Sequence, residues 1–254
     1  MNLKALTIGI AGLAFFAAHG DPVDITVSDG KAYTPSWGNT TQKAWWTNTS
    51  EDQEVEPRMI ANQNWDLEAF MLDGNDLSMV GGFNFQDGYD HGGSHYTAGD
   101  VFIDLNGDAN STDIDNAYGY EYAIDINYGA GTYDVVDITT GDVEFDQGTT
   151  GPPNNNDDSR PYRITNGGDI LTGWSGAIEY SDGSEYGFAG ATHYEAGSID
   201  LGFLAGKSFD LHTTLSCGND MMKGSVSVPE PATLSLLGLS LLSLAGLCLK
   251  RKKD

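Results

Sequence analysis

Between its two ends the chain alternates short runs rich in Val, Ile, Phe, Tyr and Trp with Asp, Asn and Gly turns, and its 33 glycines leave little room for helix. Strands this short, punctuated this often, pack as antiparallel sheets rather than as a helical or α/β fold. The expected class is all-β, a single β-sandwich or jelly-roll-like domain over residues 21–224. The clearest hairpin is WDLEAFMLDGNDLSMVGGFNF: Leu67, Ala69 and Met71 share a face, Asp73 and Gly74 turn the chain, and the second strand returns through Met79 to Phe85. GDVFIDLNGD, YGYEYAIDINY and GTYDVVDI supply further strands, and AIEYSDGSEYGFAG a hairpin around Asp182 and Gly183. YEAGSIDLGFL and SFDLHTTLSC close the fold, GTTGPPNNNDDSRP over 148–161 reads as a long loop, and GNDMMKGSVS as a link to the C-terminal segment.

The ends are of another kind. MNLKALTIGIAGLAFFAAHGDP sets Lys4 before an apolar run from Ala5 to Ala18, with small residues at Ala18 and Gly20, the pattern of a signal peptide over residues 1–20. From Ala232 to Leu249 eighteen residues pass without a charge. As a helix rising about 1.5 Å per residue they cover most of a roughly 30 Å hydrocarbon core, the length of a transmembrane helix. Lys250, Arg251, Lys252 and Lys253 follow at once and hold that end on the cytoplasmic side. The body between the two segments is expected to be extracytoplasmic.

Pro229, Glu230 and Pro231, then an apolar helix, then a short basic terminus, resemble the PEP-CTERM sorting signal of Gram-negative bacteria. The resemblance implies a sorting region over 225–254, an exosortase-type membrane protease as partner, transient insertion in the inner membrane, and delivery to the cell surface or extracellular matrix. The two prolines keep Glu230 extended and outside the helix, where a protease can reach it. The order WDLEAFMLDGNDLSMVGGFNF, GDVFIDLNGD, YEYAID and CGND is also similar to the bodies of other PEP-CTERM proteins, which implies an architecture but no activity.

Charge narrows the choice of partner. Without residues 1–20 and 231–254, which carry Lys4, Lys250, Arg251, Lys252, Lys253 and Asp254, the chain keeps 7 basic and 36 acidic residues, a net of -29. Such a surface repels nucleic acid and anionic membranes and recruits cations. Of the two cysteines, Cys248 lies in the apolar tail, so the body has one thiol, Cys217, and no internal disulfide.

Cation ligands are densest in DLNGDANSTDID. Asp104, Asn106, Asp108 and Asn110 alternate, Thr112 follows, and Asp115 closes a twelve-residue span, with Asp113 a further candidate. Hard oxygens in that alternation are how a loop wraps calcium, which is the expected cofactor. Gly107 holds the fourth place rather than the sixth and no helix pattern flanks the run, so the expectation is a calcium loop between strands, not an EF-hand. The competing reading is a solvated turn whose Asp and Asn oxygens serve backbone amides.

Asp90, His91, His95 and Asp100 suggest a zinc site, but Gly92 and Gly93 break the helix that would align the two histidines. His193 and His212 read as surface or strand residues. Ser175 in GWSGA lacks the setting of a nucleophile elbow. Asp66 with Glu68, and Glu179 with Glu185, are carboxylate pairs of the kind that flank a glycosidic bond, and a chain this acidic produces such pairs by chance. Cys217 with His212 would make a thiol nucleophile, against the simpler reading of a buried thiol. Trp45, Trp46 and Trp174 are candidate ligand-binding rings; adjacent residues of a strand face opposite ways, so Trp45 and Trp46 cannot share one face.

The function expected is that of an exported, exosortase-sorted surface or matrix protein, non-enzymatic and calcium-stabilised, with a structural or adhesive role. The alternative is a carbohydrate-binding module acting on exopolysaccharide, and the third reading a secreted hydrolase. An exposed tryptophan in a concave face separates the first two; a cleft with paired carboxylates or a thiol-histidine contact marks the third.

Overall fold

The computed structural model describes residues 21–28, 51–56, 59–60, 62–109, 117–148 and 159–228. The signal peptide, the sorting motif, the 232–249 segment with its basic terminus, Trp45, Trp46, Asn110, Asp113 and Asp115 lie outside them, as do residues 149–158 of the long loop. Among the described residues no helix is long and apolar enough to cross a membrane.

The strands in chain order are β1 (Val23–Asp24), β2 (Leu67–Asp73), β3 (Asp76–Gly81), β4 (Tyr89–His91), β5 (Ser94–Tyr96), β6 (Val101–Asp104), β7 (Tyr122–Asn127), β8 (Thr132–Asp137), β9 (Glu144–Asp146), β10 (Arg163–Asn166), β11 (Asp169–Ala177), β12 (Glu179–Ser181), β13 (Tyr194–Asp200), β14 (Phe209–Thr214) and β15 (Met221–Val226). The expected all-β class is the one the chain adopts. One sheet has the order β1-β2-β3-β13-β12, a second β11-β8-β7-β6-β14-β15, and β9 with β10 and β4 with β5 form two ribbons.

One core is shared by both sheets. Leu67, Phe70, Leu77 and Met79 of the first meet Val101, Ile103, Ile124, Ile126 and Met222 of the second. The sheets are joined at their edge: Ile25 donates to the Phe70 carbonyl at 3.0 Å, and then Val27 donates to Lys223 at 2.8 Å. The outer faces are covered too, which explains why the stretch Ala69 to Leu72 of β2 is apolar without alternation. Tyr186 and Phe188 cover Ala69, Met71 and Val80, while the β9–β10 ribbon brings Ile164 and Phe145 onto Phe102, Ala123 and Val136.

Three details differ from the sequence reading. A bulge between Leu67 and Ala69 changes the phase of β2, so Leu67 joins Phe70 in the shared core while Ala69 and Met71 face outward; the hairpin's second strand spans Asp76–Gly81 and stops short of Phe85. Asp182 does not turn a tight hairpin but caps the 3-10 turn Gly183–Tyr186 by accepting the Ser184 amide at 2.9 Å, and β12 pairs with β13 further on. GNDMMKGSVS is no linker: β15 pairs with β14 from Thr214↔Met221 to Phe209↔Val226.

CGND proves to be a fastening. Asn219 Nδ2 donates to the Ile60 carbonyl at 2.8 Å and its Oδ1 accepts the Ile60 amide at 3.0 Å. Asp220, fully buried, accepts the Leu67 amide at 2.6 Å and the Met221 amide at 2.9 Å. A second fastening lies before β6. Gly99 donates to the Thr214 carbonyl at 2.8 Å, and a β-carbon on it would come within 2.2 Å of the Tyr162 carbonyl and 2.8 Å of that of Thr214. Backbone lies on both sides, so Gly99→Ala is expected to cost about 1–3 kcal/mol in denaturant unfolding, the range of an overpacked site.

Candidate metal centre

Asp104 ends β6, 4% exposed, where the chain leaves the sheet and its last carboxylate turns back on the loop. Its Oδ1 accepts the amides of Asn106 (2.9 Å) and Gly107 (2.7 Å), and its Oδ2 that of Ala109 (2.9 Å). Asn106 Oδ1 accepts the Asp108 amide at 2.9 Å. Gly107 turns with φ +78°, the left-handed region that glycine enters without cost, so the reversal falls at the fourth place and the loop is not of EF type.

What completes the constellation comes from elsewhere. Glu121, just before β7, places a carboxylate oxygen with one each from Asp104 and Asp108, all within 4.8 Å of one another. Glu121 Oε2 accepts the Leu105 amide at 2.6 Å and its Oε1 accepts from Asn106 Nδ2 at 2.7 Å. The close approach needs Gly119, whose added β-carbon would lie 2.6 Å from the Asp108 carbonyl. Burial raises the Glu121 carboxyl above the usual range, and the charges of Asp104 and Asp108 push the same way against the Leu105 amide. A divalent cation would relieve that repulsion; Asp104 Oδ1 is filled by two amides, but its Oδ2 and Glu121 Oε2 each accept a single amide and keep a lone pair for an ion. The expected run thus contributes Asp104 and Asp108 to the triad, with Asn106 bonded to its third member. Glu121 was invisible in the run itself; its only signal is its place at the mouth of β7, whose Tyr122 pairs with Ile103 of β6.

The other constellations come apart. β4 and β5 pair Asp90 with His95 and His91 with Ser94, so the two histidines face opposite sides. His95 Nδ1 lies 2.7 Å from Asp90 Oδ1 in solvent, whereas His91 packs its ring on Trp65, centroids 5.8 Å apart. Asp100 is buried on the amides of Ile126 and Ile164. No shared zinc site forms from them. Neither His193 nor His212 is on the surface: His212 is a buried strand residue of β14, as the strand reading expected, and His193 is buried just before β13. His212 stacks on Tyr120 at 5.9 Å, in contact with the cluster under the β9–β10 ribbon, while Cys217 packs on the core between the sheets, its thiol pushed up to about 11 by burial. Trp174 is half-buried and leans on Phe203, centroids 5.5 Å apart. A cleft of about 490 Å³ beside β7 and β8 is lined by Thr97, Asp125, Asp134 and Arg163, and its two tyrosines, Tyr128 and Tyr133, are buried.

No curated protein and no solved structure matches the chain. Residues 227–252, which include Pro229, Glu230 and Pro231 and most of the basic terminus, match the PEP-CTERM protein-sorting motif. The chain therefore carries a PEP-CTERM sorting motif, the mark of an exported protein handled by an exosortase-type membrane protein and sorted to the cell surface.

Proposed function

We propose that the body is a non-enzymatic, calcium-stabilised β-sandwich that serves a structural or adhesive role at the cell surface or in the extracellular matrix. The observation that carries the calcium reading is the convergence of Asp104, Asp108 and Glu121 from two strand ends, an all-oxygen set suited to a hard cation. The sorting motif supports delivery to a calcium-containing exterior, where modules of this kind bind with millimolar to submillimolar affinity. The non-enzymatic reading draws support from the separation of Cys217 and His212 and from the burial of Asp66 and Glu68, which offers a substrate no access. The glycan-binding alternative rests on Trp45 and Trp46, outside the described residues, and on Trp174, a half-buried ring that packs against Phe203.

Thermal unfolding of the full chain in detergent, with calcium and with a chelator, tests the reading. Calcium at about 100 times its dissociation constant stabilises by about 2.7 kcal/mol, a rise of several degrees in a chain this size. Asp104→Asn combined with Glu121→Gln is expected to lower that rise by a similar amount. An equal rise in wild type and variant would remove the ion from the loop, and no rise in the wild type would remove calcium from the function.

A further inference from the structure

The acidic run Glu51 to Glu56 does not lie in solvent. Glu51, Glu54 and Glu56 are buried, and Asp66 from just before β2, Glu68 from β2 and Asp220 from the β14–β15 turn join them. Within this group, ligand oxygens of Asp52, Asp66 and Glu68 lie within 4.8 Å of one another. Each is positioned separately. Asp52, half-exposed, accepts the Ala189 amide on both oxygens, at 3.2 and 3.1 Å. Glu68, 2% exposed, accepts from Gln63 Nε2 at 2.7 Å and has His193 Nδ1 at 2.9 Å from both its oxygens. Asp66 is 0% exposed, and its Oδ2 accepts the Gln53 amide at 3.2 Å.

Its Oδ1 accepts nothing. The Glu54 amide faces the same carboxylate but is spent on the Glu51 carbonyl at 3.1 Å. A fully buried carboxylate oxygen without a donor, set among two further carboxylates, is unfavourable unless a proton or a cation fills the gap. Burial first, and then the charges of Glu68 and Asp52, push the Asp66 carboxyl well above the usual range.

We propose that Asp52, Asp66 and Glu68 hold a second hard divalent cation, calcium in an exported protein, with Oδ1 of Asp66 as its innermost ligand. The donors are all oxygen, which suits calcium rather than zinc. Half-exposed Asp52 gives the ion a way in, and His193 and Gln63 fix Glu68 from behind as outer partners do at metal sites. The ion would bind the 51–56 segment and the turn at Ala189 to the start of β2. The site shares no residue with the Asp104 loop, so either stands if the other falls.

The test uses the full chain in detergent carrying Asp104→Asn and Glu121→Gln, which silences the loop. Terbium(III) is the probe, excited through Trp65, the residue before Asp66, with calcium as competitor. Saturable emission that calcium displaces is expected, with terbium affinity weakened roughly tenfold or more by Asp52→Asn and by Asp66→Asn, since affinity at oxygen sites follows ligand charge. Asp52→Asn keeps an acceptor for the Ala189 amide at the edge of the site, so it reports on binding even where Asp66→Asn fails to fold. Absent emission in the loop-silenced chain, or an affinity that Asp52→Asn leaves unchanged, overturns the proposal and assigns these carboxyls to protons instead.

Discussion

Trp65→Ala is expected to destabilise the protein by about 3–5 kcal/mol, the range for removing a buried large aromatic side chain. Trp65 is 1% exposed and takes the edges of Tyr89 and Tyr96 at 4.9 and 5.1 Å and His91 at 5.8 Å. Those three rings all belong to the β4–β5 ribbon, a two-stranded unit that would be marginal alone. Loss of the indole therefore removes core volume and the main anchor of the ribbon together. Denaturant unfolding measures the first effect; amide exchange at residues 89–96 measures the second. Trp174→Ala, which strips only a half-buried ring from Phe203, is the comparison and is expected to cost under about 1.5 kcal/mol. A Trp65→Ala chain within about 1 kcal/mol of wild type, with the ribbon still protected, would show that the ribbon is held by other contacts.

The same residues show how far the sequence could be read. The hairpin at Leu67–Gly81 and the strands at Val101, Tyr122 and Thr132 were legible because apolar runs and turn residues are local signals. The phase of β2 was not, since a single bulge between Leu67 and Ala69 reassigns every residue after it to the other face. Both acidic triads depend on separated segments. Asp104 and Asp108 lie in one run, but Glu121 reaches them only because β7 pairs beside β6, and Asp52 meets Asp66 and Glu68 only through the packing of the 51–56 segment. Asp220 serves the amide of Leu67, 153 positions away, and nothing in GND announces it. Burial of acids is likewise hidden in a chain so rich in them, where the default expectation of an Asp is solvent.

One such acid makes a separable contribution to the response of the fold to pH. In calcium-free solution the stability of the chain is expected to fall from about pH 4 to pH 7, and Asp100→Asn is expected to flatten the slope. Asp100 is 0% exposed at the start of β6 and accepts the amides of Ile126 at 3.1 Å and Ile164 at 2.7 Å, with Arg163 Nη2 at 3.8 Å. Burial outweighs these donors, and the charge of Asp125 adds to it, so the carboxyl is pushed up from 3.8 to about 7. A carboxyl whose pKa in the fold exceeds its unfolded value holds its proton more tightly when folded. Its contribution is present in full below about pH 4 and is lost as pH rises through about 7. At about 1.4 kcal/mol per unit, Asp100 alone accounts for up to roughly 4 kcal/mol across that window. Asparagine cannot titrate, so the variant should take up one proton fewer on folding, and the difference in slope between the two chains isolates this residue from every other buried acid. The absolute stability of the variant is no guide, because its Nδ2 must face one of the two amides that Asp100 now satisfies. Parallel curves for wild type and Asp100→Asn would mean that Asp100 is ionised throughout, with the Ile126 and Ile164 amides and Arg163 outweighing its burial.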